Sequence, residues 1–372
     1  MSSHALIITG IRRCGKSTLL NQMMATSMSG YFYMNFEDPR LYPFEDNDFT
    51  RLDQVVLETG ANSLYFDEIQ VVDHCEGYIR RKLDEGYKVI ITGSNASLLS
   101  RELGSKLTGR HISKELFPFS FSEFCDYKGF SHGPDSLTAY LRTGGFPEYV
   151  KSGYDEILGH LFEDILIRDI LIRYGVRDIK TLQRLAQYLI SNIGKLVTGN
   201  KLRKLFEIGA TSTVMEYLSH MEVSYLFYFV SKFSYSPKKQ LVNPRKVYAI
   251  DPGLATVNSG SFSKDTGRKL ENLVFLFLRQ KYHQVFYFSE TSECDFVAFD
   301  QKGKLQEVLQ VCNTLDRDNL DRELRGLKEA LRFFSRKEGY IITLDQTDEL
   351  KTEGMRIQVV PAHQYLAGPL HD

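Results

Sequence analysis

The sequence predicts an α/β fold built on a parallel sheet, and three stretches predict it. Residues 5–18, ALIITGIRRCGKST, run from an apolar, β-branched segment through a glycine-bearing loop into a helix-forming segment. Residues 63–68, SLYFDE, form a second apolar segment that ends in two acids, and residues 88–95, KVIITGSN, a third that ends in a Gly-Ser-Asn turn. Three apolar strands that each close on polar groups suit an open sheet, which gathers its ligand-binding residues at the carboxyl ends of its strands.

Bulk properties bound the rest. At 372 residues the chain has length for two or three domains, each with its own core. Hydrophobic residues make up 42% and charged residues 25%, an ordinary balance for a globular protein, and neither repeats nor low-complexity tracts interrupt it. A formal net charge of −1 excludes a global pull toward nucleic acid or anionic membrane, so any such binding must come from a local patch. The five cysteines, Cys14, Cys75, Cys125, Cys294 and Cys312, are odd in number and widely spaced. They support neither a disulfide framework nor a zinc site. No apolar run approaches the ~20 residues of a membrane helix, and the start has no basic region or cleavage site of a secretory signal. The expectation is a cytoplasmic protein with no membrane contact.

In chain order, Ala5–Ile8 read as a buried strand. Gly10, Ile11, Arg12, Arg13, Cys14, Gly15, Lys16 and Ser17 fit G-x-x-x-x-G-K-[ST], with Thr18 continuing into a helix. Glycines at that spacing let successive backbone N–H groups curl around a triphosphate, and the helix points its positive end at the same charge. Lys16 would reach the β and γ phosphates and Ser17 would hold Mg²⁺. Residues 31–36 suggest a second strand. At 63–68, Asp67 reads as the Walker B acid that holds Mg²⁺ through water or bonds Ser17, and Glu68 as the base that orients and deprotonates the attacking water. Ser94 and Asn95 are candidates for sensing the γ-phosphate, against the alternative of a turn capping a helix over 96–103. Arg101 and Arg110 follow; Arg110 is the candidate arginine finger, against a solvated surface role. Residues 114–130 suggest a strand and a short helix, GGFPEY at 144–149 a sharp turn, and 154–174 an amphipathic helix leading out of the first domain.

From 178 to about 256 the pattern reads as helices over 181–193, around 202–206 and over 211–221, then strands at 225–233 and 246–250. That order makes a winged helix the economical expectation. Lys195, Lys201, Arg203 and Lys204, then Lys232, Lys238, Lys239, Arg245 and Lys246, form two basic stretches suited to phosphate contact. The third helix carries Glu216 and no Lys or Arg, which argues against base readout and keeps a solvated face or a protein contact open. From about 262 onward a helix over 268–281, strands at 284–288, 294–299 and 305–312, a charged helix over 318–336 and strands at 339–344 and 356–360 predict a small α/β domain.

GIRRCGKST, SLYFDE, TGSN, GGFPEY and VYAIDPGL, in that order, resemble the AAA-like P-loop ATPases of bacteria and archaea that carry a winged helix and a restriction-endonuclease-like C-terminal domain. The resemblance implies a P-loop ATPase over 1–165, a helical linker and winged helix over 166–258 and a PD-(D/E)XK nuclease-like domain over 259–372. Nucleases of that pattern hold metal with a helix Glu, an Asp and an E-x-K triplet. Glu271 and Asp295 match, but the triplet reads Gln310, Val311, Cys312, and moving the register to Glu307 puts Leu309 at the lysine position. Gln is a poorer Mg²⁺ ligand than a carboxylate and Cys cannot replace the lysine's charge, so the domain is expected to be a nuclease relic. The resemblance also implies a helical lead before the first strand, to which no stretch is assigned here, so the adenine contacts are left open.

The expectation is therefore an ATP-binding, Mg²⁺-dependent ATPase acting as a nucleotide-controlled switch. Its cofactors are ATP and Mg²⁺, and its partner is either DNA, through residues 195–204 and 232–246, or a protein, with self-association included. The alternatives are an ATP-gated DNA nuclease and a non-catalytic ATP-dependent binding module.

Overall fold

The computed structural model describes residues 4–27, 30–72, 74–95, 107, 109–260 and 266–368. The helix expected over 96–103, and Arg101 with it, lies outside the described residues. The chain divides into two compact units that interleave along the sequence. The first holds Met1–Pro118, Ile167–Tyr174 and Val223–Leu226; the second holds Phe119–Leu166, Gly175–Glu222 and Phe227–Asp372.

The first unit is a five-stranded, all-parallel sheet of β1 (Ala5–Thr9), β2 (Tyr31–Asn35), β3 (Ser63–Asp67), β4 (Lys88–Gly93) and β5 (His111–Glu115), in the order β2-β3-β4-β1-β5. Its central strands β1, β3 and β4 are covered on both faces, which is why they read as near-continuous apolar runs. On one face α1 (Lys16–Ala25) packs through Leu20 and Met24 onto Ile8, Tyr65 and Ile90. On the other, α2 (Asp48–Thr59) and α3 (Cys75–Asp84) pack through Leu52, Val56, Tyr78 and Ile79 onto Ile7, Leu64, Phe66 and Ile91. The strand expected near 114 instead occupies His111–Glu115. As an edge strand it carries only one apolar residue, and its register against β1, from Ala5↔His111 to Thr9↔Glu115, places it.

The second unit begins with α4 (Phe121–Lys128), α5 (Pro134–Thr143), α6 (Pro147–Ser152) and α7 (Asp155–Asp164). The helix expected over 154–174 changes its winding at Ile165, where a π-helical stretch runs to Ile172. The sequence expectation placed 119–165 with the ATPase. Residues 119–166 instead belong to the second compact unit, where α5 and α7 pack on a helix a hundred residues further on.

Next come α8 (Ile179–Ile190), β6 (Leu196–Val197), α9 (Gly199–Leu205), α10 (Thr211–Val223), β7 (Phe227–Ser231), α11 (Pro237–Val242) and β8 (Arg245–Ala249). The three strands form an antiparallel sheet in the order β6-β8-β7. The basic stretch after β7 is not a simple hairpin, because α11 occupies it. Then α12 (Pro252–Asn258) packs on α5 and α7. The motif acid Asp251 makes that joint: it accepts from Leu254 N at 2.8 Å, capping α12, and from Gly145 N at 2.6 Å. Gly144 must be glycine there, since its φ is +71° and a Cβ would stand 2.2 Å from Asp251 Oδ1.

The last part is α13 (Thr266–Lys281), β9 (Gln284–Ser289), β10 (Glu293–Phe299), β11 (Leu305–Val311), α14 (Leu320–Phe333), β12 (Glu338–Thr343), β13 (Asp348–Thr352), β14 (Met355–Pro361) and α15 (Ala362–Tyr365). Its mixed sheet runs β13-β14-β12-β11-β10-β9, with β12 parallel to both β11 and β14. β13 was not expected: DELKT is a charged edge strand with no apolar alternation to announce it.

Candidate active site

The site forms at the carboxyl edge of the parallel sheet, where the chain leaves β1, β3 and β4. β1 lies between β4 and β5, so the loop that follows it opens where the strand order reverses. Backbone conformation explains the glycines. Gly10 has φ +152°, and a Cβ there would lie 2.2 Å from the Leu116 carbonyl oxygen; Gly15, at φ +109°, precedes the first residue of α1. Arg13 also has a positive φ, 64°. Ile11 and Cys14 are buried and anchor the loop from below, while Ser17 and Thr18 are exposed on the first turn of α1.

Lys16 is 4% exposed, and its Nζ donates to the carbonyls of Gly10 at 3.1 Å and Ile11 at 3.2 Å. It also lies 3.4 Å from Glu68 Oε1. Burial alone would lower its pKa, but the neighbouring Cys14 and Glu68 groups raise it, so the ammonium stays charged. Burial would likewise raise Glu68, yet the charge of Lys16, a hydrogen bond from Gln70 and the charge of Arg12 hold it below the usual carboxylate value. Glu68 takes a left-handed backbone, φ 52°, one residue past the strand. Its Oε2 accepts from Gln70 Nε2 at 2.5 Å and from Ser94 N at 3.2 Å.

Asp67 does not bond Ser17, as one sequence alternative had it. Its Oδ1 accepts from Thr92 Oγ1 and its Oδ2 from the Tyr33 hydroxyl at 3.3 Å. Burial and the Asp67 charge push Tyr33 up to about 12, so it remains a donor. Thr92 also accepts from Glu68 N at 3.1 Å, which ties both acids of β3 to β4. Ser94 is buried and its Oγ has no hydrogen-bond partner among the described residues, which leaves it a donor at the strand end. Asn95, fully buried, donates through Nδ2 to the Tyr174 hydroxyl at 3.1 Å.

Arg110 is a correction. Its carbonyl accepts from Ala5 N and its guanidinium pairs with Asp84, both at the amino-terminal edge of the sheet. β1 runs its full length between Arg110 and the phosphate loop, so Arg110 cannot act as a finger on its own chain's site. The arginine at the site is Arg12, whose Nε and Nη2 donate to Asp169 at 3.1 Å each and whose Nη2 also meets Glu37 at 3.1 Å. Burial opposes its charge, but Asp169 and Glu37 raise its pKa further above the ordinary value. Sequence reading missed Asp169 and Tyr174, which lie far from the loop along the chain. Thr92 could have been found, as the polar residue inside an otherwise apolar strand.

The basic stretches are altered as well. Lys195, Lys201, Lys204, Lys238 and Lys239 are exposed, but Arg245 lies over the Phe229 ring and Lys246 is buried. Glu271 and Asp295, expected as metal residues of a nuclease-like domain, do come together, joined by Lys246 rather than by the triplet; Gln310 turns to Asp295 N and to Glu323.

This sheet and loop define an AAA-like P-loop ATPase. A family profile described as an AAA domain matches residues 2–125, and one described as a domain of unknown function, DUF8612, matches residues 134–265. The uncharacterized protein MJ1544 of Methanocaldococcus jannaschii is 33% identical over 352 residues, 88% of this chain and 78% of that protein. An uncharacterized protein of Haemophilus influenzae is 32% identical over 343 residues, 84% of this chain and 85% of that one. The chain belongs to the same family as these two relatives, and its residues 2–125 match the AAA-domain profile. Among solved structures, Cdc6p of Pyrobaculum aerophilum matches 60% of this chain and 80% of its own at 13% identity, with a TM-score of 0.28, too loose a superposition to carry an argument. No helix among the described residues is long and apolar enough to cross a membrane.

Proposed function

We propose that this chain is an Mg²⁺-dependent ATP hydrolase acting as a nucleotide-controlled switch. The observation that carries this reading is Glu68, an ionised carboxylate held beside Lys16 by Gln70 and the Ser94 N–H, one residue after the Walker B acid. A phosphoryl transferase can leave attack to its acceptor, whereas a hydrolase must position water.

The residues present fit the nucleotide. The loop amides from Gly10 to Thr18 would cradle the phosphates, and Lys16 would exchange two backbone carbonyls for phosphate oxygens, a stronger charge-assisted bond. Ser17 and Asp67 would hold Mg²⁺, which supplies positive charge against the phosphate oxygens when bound. Thr92 and Tyr33 fix the Asp67 carboxylate, so it needs little reorganisation. Released from Lys16, Glu68 would accept a proton from water, and the Ser94 hydroxyl would donate to the γ-phosphate. Asn95, bonded to Tyr174, would report that contact to the segment 167–174.

The test is phosphate release from Mg-ATP beside nucleotide binding. Glu68→Gln should lower turnover by about 100-fold or more with ATP binding retained, and Lys16→Ala should lose binding itself. Turnover unchanged in Glu68→Gln would sink the hydrolase reading.

A partner-binding output rests on the second unit. The order α8-β6-α9-α10-β7-α11-β8 with the sheet order β6-β8-β7 supports a winged-helix reading, and the exposed Lys195, Lys201 and Lys204 give it a basic face. DNA binding through that face should weaken steeply with salt. Binding that ignores salt, or no binding with or without ATP, would leave a protein partner as the output.

A further inference from the structure

The carboxylates expected of a nuclease centre are present, but they surround a lysine. Lys246, from β8, extends its buried side chain into the space between α13 and β10. Its Nζ lies 2.9 Å from Glu271 Oε1, 2.9 Å from Glu293 Oε1 and 2.8 Å from Asp295 Oδ1. An ammonium has three N–H donors; here two go to Glu271 and Asp295, and Glu293 adds a third ion pair. The distances are those of charge-assisted hydrogen bonds; oxygen ligands of Mg²⁺ would have to close to roughly 2.1 Å.

Several other atoms of the site are committed as well. Glu271 Oε1 also accepts from the Tyr248 hydroxyl at 2.6 Å, and Asp295 Oδ2 accepts from Val311 N at 2.9 Å. Gln310, at the third ligand position, receives Asp295 N on its Oε1 at 3.1 Å and donates through Nε2 to Glu323 Oε2 at 2.8 Å. Glu323 is in turn paired with Arg322 at 2.5 Å. Among the described residues no group of three or more His, Cys, Asp or Glu side chains is spaced to hold a metal ion. The residues therefore do not fit the divalent cation that the nuclease-like pattern implies.

We propose that the Lys246 ammonium is a permanent internal cation standing in the metal position of this sheet, so that the C-terminal α/β part carries no metal-dependent cleavage. The cation comes from the three-stranded sheet and its anions from the six-stranded one, so the same contact ties the two together. The sequence places a basic residue in a stretch that looks like a phosphate-binding surface; the fold turns it inward and spends its charge on Glu271, Glu293 and Asp295. This inference stands apart from the ATPase reading, because none of its residues belongs to the nucleotide site.

The test is Mn²⁺ binding to the full chain without nucleotide, followed by the electron paramagnetic resonance of free Mn²⁺. Without phosphates the Walker residues offer few ligands, so they contribute little background. The wild-type protein should show no saturable site, and Asp295→Asn should leave the titration unchanged. Lys246→Met, of similar length and uncharged, should gain one site per chain, tightening Mn²⁺ by about tenfold or more over wild type, and its melting temperature should rise with added Mn²⁺. The double variant Lys246→Met, Asp295→Asn should lose that gain. A saturable wild-type site abolished by Asp295→Asn overturns the proposal even if Lys246→Met fails to fold. So does a folded Lys246→Met that binds Mn²⁺ no better than wild type.

Discussion

Gly10 shows how narrowly a single position in the loop is constrained. Its φ of +152° and the 2.2 Å approach of a Cβ to the Leu116 carbonyl leave no room for a side chain. Gly10→Ala should therefore displace the turn and abolish ATP binding while leaving the far-ultraviolet circular dichroism largely intact, the defect being local strain. Thr92 is constrained by hydrogen bonds instead. It donates to Asp67 and accepts from Glu68 N, so Thr92→Val keeps the shape and strands a buried acceptor and a donor. We expect kcat to fall by about 10-fold or more with KM for ATP nearly unchanged, since Thr92 holds the acids and not the phosphates. A rise in KM alone would mean that Thr92 serves binding.

At the scale of elements, the Asp251 joint explains why the GGFPEY and DPGL stretches occur together. One buried carboxylate caps α12 and accepts the Gly145 N–H, and so fixes the turn after α5. Burial pushes Asp251 up to about 6, although the N–H groups of Gly145, Leu254 and Gly253 pull it down. A carboxyl raised from its unfolded value near 3.9 gives a stabilisation that is full below that value and is lost as pH climbs through about 6. Unfolding stability should thus decline by roughly 2 kcal/mol between those pH values. Asp251→Asn should remove this dependence, which chemical denaturation across that window would measure; a slope unchanged in the variant would assign it to other groups. The π-helical stretch Ile165–Ile172 is the other notable element, because the wider winding re-aims the side chains that follow α7. That stretch carries Asp169 to Arg12.

For the whole molecule, the interleaving of the two units is what gives the phosphate loop a remote partner. Arg12 and Asp169 are 157 residues apart, and the 167–174 segment returns to the first unit between two parts of the second. Asp169→Asn would leave the Arg12 guanidinium to Glu37 and remove the Arg173 contact, lowering unfolding stability by about 2 kcal/mol. Urea denaturation of the nucleotide-free chain would measure it, and an unchanged midpoint would mean that the contact is incidental. Saturating Mg-ATP should raise stability by about 2.7 kcal/mol at a hundredfold excess over Kd, and Lys16→Ala should show no such gain.

Whatever depends on local pattern could be read directly from the chain. The three apolar strands, the glycine loop, Lys16, and the pair Asp67 and Glu68 were legible because strand burial and phosphate binding each impose a residue type at a fixed spacing. The polar edge strand β13 was not, and β5 only in part, since an edge carries no obligatory apolar run. Which distant groups meet depended on the packing of the folded chain. It moved Arg110 to the far edge of the sheet, brought Asp169 to the nucleotide loop and Tyr174 to Asn95, and turned Lys246 from an apparent surface cation into the centre of three carboxylates. Charge reads the same along a chain whether it is solvated or buried; packing alone settles which.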